Sequence, residues 1–165
     1  MSYLLDSDVL MEGRKRHYGF DICPGFWKWL ELRNAEGKVL SVEKVRDEIG
    51  EGNDALVIWA SAQPEAFFVP PDDRTIQAFA TVSQWATSQA YTQQAVSDFL
   101  QKADFFLVAH ALAHALTIVT HERAANSPNK IKIPDACDAL GVAVINPFDM
   151  LRRGGARFIL EEPTA

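Results

Sequence analysis

Short apolar runs, each broken by an acid, a proline or a glycine, alternate along this chain with stretches of helical spacing. The first run, Tyr3, Leu4 and Leu5, ends abruptly in Asp6, Ser7 and Asp8 before apolar residues resume at Val9, Leu10 and Met11. This pattern predicts a buried strand whose carboxyl end delivers an acid to the rim of a sheet, then a helix over 8–15 capped by Ser7 or Asp8. Ligands of open α/β sheets bind at that rim, which makes Asp6 the first candidate site residue. The competing reading, that both aspartates only cap a helix, has equal weight on this stretch alone.

Further along, Pro24 and Gly25 introduce a helix with Phe26, Trp27 and Leu30 on its stripe, ending near Gly37. Trp27 and Trp29 cannot face the same way, so one of them is expected to be exposed. Val39 and Leu40 predict a second strand, with Ser41 capping a helix over 42–49 that buries Val42, Val45 and Ile49 and carries Glu48 near its end. A helix over 54–62 and a strand at Phe67, Phe68 and Val69 precede the break at Pro70 and Pro71. Ile76, Phe79, Ala80, Val82 and Ala86 then mark a helix over 72–90, followed by another over 91–100. The segment KADFFLVAHALAHALTIVTHE predicts a helix over 103–114 with Asp104 in its first turn, then a strand at 116–119 leading into Thr120, His121 and Glu122. If this strand and the first are parallel neighbours, Asp6 and Glu122 meet at one edge. Pro134 and Asp135 open a helix closed by Gly141; strand-like residues 142–145, a helix from Pro147 and an edge strand over 157–160 complete the pattern. The alternation predicts a three-layer α/β architecture, expected to form a single domain over 1–160 with a flexible tail over 161–165.

At 165 residues, 48% of them apolar and with four tryptophans and ten phenylalanines, the chain can bury a substantial core. No apolar run approaches the roughly 20 residues of a membrane span, and the amino terminus lacks a basic signal-peptide region, so a cytoplasmic protein is expected. Cys23 and Cys137 lack the spacing of a disulfide framework and read as reduced structural thiols. A formal charge of −6 argues against holding nucleic acid by bulk attraction, though not against local contact. Arg14, Lys15, Arg16 and His17, between Gly13 and Gly19, read as phosphate contacts or as a solvated charge run; Lys130 and Lys132 form a second basic candidate.

The chemistry-bearing set is acidic. Asp6, Glu48, Asp104 and Glu122 recur beside expected strand ends and helix starts, and oxygen-rich groups of this kind suit Mg²⁺ or Mn²⁺, which activate water and stabilise a pentacoordinate phosphate. Most of the 22 acidic residues should nevertheless face solvent. Asp135 either joins the set or serves as a helix-start acid beside Pro134, and Thr120 either orients water or phosphate or satisfies local backbone. His110 and His114 form an HxxxH pair on one helical side, about 80–120° around the helix from Asp104 and without a third ligand in sequence.

Taken together, YLLDSDVL, SVEKVRDEI, ADFFLVAHA, TIVTHE and KIPDAC resemble, in order and over nearly the whole chain, the PIN-like proteins related to the VapC ribonuclease toxins, in a DUF4411-like branch. The resemblance implies a mostly parallel sheet between helical layers, and metal-dependent hydrolysis of RNA with Mg²⁺ or Mn²⁺ as cofactor. It carries acidic metal-holding roles to Asp6, Glu48 and Asp104, with Glu122 where many PIN domains have aspartate. An endoribonuclease toxin is therefore expected, with RNA as substrate, and an antitoxin protein or a second copy as partner. The alternatives are a non-catalytic interaction module, a DNA-directed nuclease and a phosphatase.

Overall fold

The computed structural model describes residues 1–164, so the expected tail over 161–165 falls in part outside the described residues. Five strands, β1 (Tyr3–Leu5), β2 (Val39–Val42), β3 (Phe68–Val69), β4 (Thr117–Val119) and β5 (Val144–Ile145), pair entirely in parallel in the order β3-β2-β1-β4-β5. Helices α1 (Ser7–Glu12), α2 (Pro24–Ala35), α3 (Glu43–Ile49), α4 (Ala55–Ser61), α5 (Asp73–Ser88), α6 (Gln93–Gln101), α7 (Ala103–His114), α8 (Ile133–Leu140) and α9 (Pro147–Arg153) supply the crossovers and the covering layers. This is the expected α/β/α PIN-like architecture. From β1 the chain winds outward through β2 to β3, then returns to the other side of β1 for β4 and β5. The sheet therefore reverses its winding between β1 and β4, the switch point at which open α/β sheets place ligands.

Continuous apolar strands make this geometry stable, because a parallel sheet is buried on both faces. Every residue of β1 and β4 is buried, and Leu4, Leu5, Ile118 and Val119 have no exposed surface. Leu5 stands in register with Val119, so Asp6 and Thr120 leave the sheet side by side. No helix among the described residues is long and apolar enough to cross a membrane.

Local expectations fail where tertiary contacts decide. Helix α1 stops at Glu12, and Gly13–His17 continue as a π-helical turn carrying the basic cluster. Ser41 lies inside β2 and donates its hydroxyl to the Leu5 carbonyl at 2.7 Å, leaving Val42 as the N-cap of α3. Helix α5 turns Thr75, Ala78, Val82 and Ala86 inward and leaves Ile76 53% exposed. Neither tryptophan of α2 is free: Trp27 is buried with its indole N–H on the Tyr18 carbonyl, and Trp29 is half-buried, its ring so near Gly154 that an added Cβ would come within 2.5 Å of it. Residues 157–160 form no strand. Gly141 closes α8 in the left-handed conformation at φ 71°, which costs glycine nothing.

Candidate metal centre

Asp6 occupies the N-cap position of α1 without capping it. Its carboxylate instead accepts the Thr120 hydroxyl at 2.7 Å across the β1–β4 switch point and is 3% exposed. Asp8, in the first turn of α1, reaches the same place. It accepts from the Thr120 hydroxyl at 3.1 Å and from the His121 backbone N–H at 3.0 Å. The Thr120 oxygen in turn accepts the Glu122 backbone N–H at 3.0 Å. The turn after β4 is thus organised around one hydroxyl that holds two carboxylates.

Three further acids arrive, two on helix ends and Glu122 from the turn after β4. Asp104 sits half-buried in the first turn of α7. Glu48, exposed near the end of α3, accepts the Ala103 backbone N–H at 3.0 Å and so ties α3 to the start of α7. Glu122 accepts the Ile133 backbone N–H at 3.0 Å and the Lys132 ammonium at 2.9 Å, a bond that steadies the start of α8. Both glutamates therefore do for helix N-termini what a capping side chain does, with a charge that also suits the helix dipole.

Burial and mutual repulsion set the electrostatics. Burial, then Asp8, Asp104 and Glu122, hold the Asp6 carboxyl well above the usual range against the opposing Thr120 hydrogen bond. Asp8 is raised chiefly by burial, with His121 and Thr120 opposing. Asp104 is pushed up to about 6 by burial and by the charges of Glu122 and Glu48, with Lys102 and Lys132 opposing. Burial alone would lower Lys132, but its bond and charge interaction with Glu122 win and raise it. The site thus concentrates more negative charge than its lysines neutralise. A donor set made of carboxylate oxygens under this strain fits a hard divalent cation such as Mg²⁺ or Mn²⁺.

Asp6 feels the charges of Asp8, Asp104 and Glu122, while Glu48 acts on Asp104 and not on Asp6. Sequence reasoning passed over Asp8 as a site residue; its one signal was its place two residues after the first strand-end acid. Asp135 is engaged otherwise, accepting the backbone N–H groups of Lys132, Ala125 and Asn126 at 2.9–3.2 Å, the bonds of a helix-start acid that also fixes a loop. In the basic cluster Arg14 pairs with Asp54 and Arg16 with Glu12, while Lys15 is exposed and makes no ion pair among the described residues. Beside them the rings of His17, His121 and Phe148 form a triangle with centroids 5.4–5.8 Å apart. Cys137 is buried with its thiol pushed up to about 12 by burial, which disqualifies it as a nucleophile.

No match was found among curated proteins. A chain in the structure of FitAB bound to an IR36 DNA fragment is similar to this one with a TM-score of 0.52 and 17% identity, over 88% of this chain and 95% of that chain; the likeness concerns the fold. The profile of a domain of unknown function, DUF4411, matches residues 3–158, nearly the full length, and the chain belongs to that family.

Proposed function

We propose that this protein is a divalent-metal-dependent nuclease whose preferred substrate is RNA, cut within the strand, and that it serves as the toxin of a toxin–antitoxin pair in the manner of the VapC-related PIN proteins it resembles. The observation that carries this reading is the group of carboxyls at the sheet's switch point, three of them held in the raised state by burial and mutual charge. Perturbed carboxyls gathered without a matching set of cations mark a functional site rather than a stabilising one. Bound Mg²⁺ or Mn²⁺ supplies charge neutralisation at a phosphodiester and activation of water.

The chain's own groups have separable tasks. Asp6, Asp8 and Asp104 provide the oxygens that hold the cation, and Thr120 fixes the first two in place. Glu48 and Glu122 add negative charge while anchoring the helices that carry their neighbours. Lys132 keeps Glu122 on α8 and restrains the total charge. The ring triangle of His17, His121 and Phe148 offers a face on which an unpaired base can stack, as single-stranded RNA readers do. Lys15, which makes no ion pair among the described residues, suits a phosphate contact; Arg14 and Arg16 reach phosphate only by leaving Asp54 and Glu12.

A second reading has a specific observation in its favour. Glu48 and Glu122 are already spent on helix starts, as an acidic site converted to structural use would have them. In that case the chain is a non-catalytic module that binds an antitoxin or a second copy of itself. The deciding experiment incubates the folded protein with matched RNA and DNA strands in Mg²⁺, in Mn²⁺ and in chelator, with Asp6→Asn beside the parent. DNA belongs in the assay because FitAB, similar in fold, is bound to DNA in its structure. We expect RNA cleavage that chelator stops and that Asp6→Asn lowers by at least about 100-fold. Metal-dependent DNA cleavage alone reassigns the substrate, and no cleavage of either strand by metal-replete protein gives the interaction module.

A further inference from the structure

Away from the switch point, the HxxxH pair of α7 meets a third metal-type ligand that is 38 residues distant from His110 in sequence. One ligand atom each from Asp72, His110 and His114 lie within 4.8 Å of one another. His110 and His114 stand one turn apart on α7, with ring centroids 4.6 Å apart. Asp72 is the N-cap of α5, the helix packed along α7, and accepts the Thr75 backbone N–H at 2.9 Å. We propose that these three side chains form a second metal site, selective for Zn²⁺ or a similar borderline transition ion, which clamps the start of α5 to the carboxyl-terminal half of α7.

The hydrogen bonds already orient the ligands. A carboxylate can only accept, so the Thr75 hydroxyl, 2.8 Å from Asp72 Oδ1, donates its single proton there. That hydroxyl, 2.9 Å from His110 Nδ1, must then accept from the ring, which places the His110 proton on Nδ1 and the lone pair on Nε2. His110 is 6% exposed, yet its Nε2 makes no hydrogen bond among the described residues and is not sealed from solvent. A buried imidazole tethered through one nitrogen, with the other unclaimed beside a histidine and a carboxylate, is the arrangement in which proteins hold zinc-ligating histidines. His114 Nε2 lies 2.9 Å from Asp72 Oδ2, a contact in which a proton occupies the place a cation would take. Bonds of about 2.0–2.1 Å at the tetrahedral angle require ligand atoms about 3.3 Å apart, a small expansion of that contact once the His114 ring proton moves to Nδ1. Two imidazoles favour Zn²⁺, Ni²⁺ or Co²⁺ over Mg²⁺, so this site and the carboxylate site select different ions. Three protein ligands leave a fourth position for water on the exposed side of Asp72.

The test titrates Zn²⁺ into metal-stripped, full-length protein against a chromophoric chelator, with folding followed by circular dichroism. We expect one equivalent of Zn²⁺ to bind, His110→Gln and His114→Gln each to weaken it by at least about 30-fold, and Asp104→Asn to leave it within about twofold. Visible absorption of Co²⁺ bound to the parent should show four-coordinate nitrogen and oxygen ligation, a readout independent of whether a variant folds. Absence of Zn²⁺ binding up to about 100 μM, or binding that survives both histidine substitutions within about threefold, overturns the site. Neither result bears on nuclease activity, which the cleavage assay on RNA and DNA reads separately.

Discussion

Thr120 has one hydroxyl proton and two carboxylates to serve, and the Glu122 N–H brings a further donor to the same oxygen. Thr120→Val keeps the shape and removes the donor, leaving the buried Asp6 carboxylate with a lost partner. We expect a loss of about 1–3 kcal/mol in urea unfolding at pH 7; a loss below about 0.5 kcal/mol would show that solvent replaces the hydroxyl. Asp104 gives the opposite sign. Its folded-state value of about 6 lies above the ordinary 3.8, so as pH rises from about 4 to 6 the unfolded chain gives up this proton first and stability falls, then levels off. In chelator at pH 7, Asp104→Asn should therefore be more stable than the parent by about 1–3 kcal/mol and should flatten that slope. A destabilised Asp104→Asn protein would mean that the carboxylate is held favourably without a cation. Asp8 could not be assigned to the site from sequence for a physical reason. A first-turn acid satisfies the helix dipole, and only the arrival of the turn after β4 turns it into a partner of Thr120 and His121.

Among elements, α7 was the most legible, because Ala103–His114 carries a first-turn acid, an apolar body and an abrupt end before β4. The elements that departed from expectation did so where a neighbour outbid a local signal. Ser41 reads as a cap, but a hydroxyl within reach of the Leu5 carbonyl serves β1 instead. Ile76 belongs to the apolar list of α5, but the buried stripe keeps only Val82 and Ala86 of that list and adds Thr75 and Ala78, leaving Ile76 exposed. Glu48 shows the same dependence on tertiary structure, since its bond to Ala103 spans 55 residues. Two substitutions separate its roles. Glu48→Gln retains a carbonyl oxygen for the Ala103 N–H, so thermal unfolding should move little, whereas Glu48→Ala should cost about 1 kcal/mol. Equal losses in both variants would place the contribution of Glu48 in its charge rather than its capping bond.

At the scale of the whole molecule, the order β3-β2-β1-β4-β5 brings Asp6 and the turn that carries Glu122 to the same edge of the sheet. Sequence suggested that β1 and β4 were neighbours only as a condition; their pairing, Leu5 beside Val119, supplies it. Strand order depends on which crossover packs on which face, information that no local pattern contains. The two proposed metal sites, one using Asp104 at the start of α7 and one using His110 and His114 in its carboxyl-terminal half, predict separable responses to ions. At about 100 times its dissociation constant a ligand of the folded state adds about 2.7 kcal/mol of stability. Mn²⁺ should raise the unfolding temperature of the parent and of His114→Gln but not of Asp104→Asn, and Zn²⁺ should do the reverse. A Mn²⁺ response that His114→Gln abolishes would contradict the assignment of the two sites.

The central claim is that the switch-point carboxylates hold a cation that cuts RNA, and the rate of RNA cleavage by Asp104→Asn at saturating Mn²⁺ tests it most directly. The substitution keeps side-chain shape and hydrogen-bonding capacity while removing one charge. With folded protein and metal in excess, so that weakened affinity does not imitate a chemical defect, the rate should fall by at least about 100-fold from the parent's. A parental rate from Asp104→Asn, with Asp6→Asn inactive, would put Asp104 outside the working set. A parent that leaves RNA intact under the same conditions would contradict the claim itself.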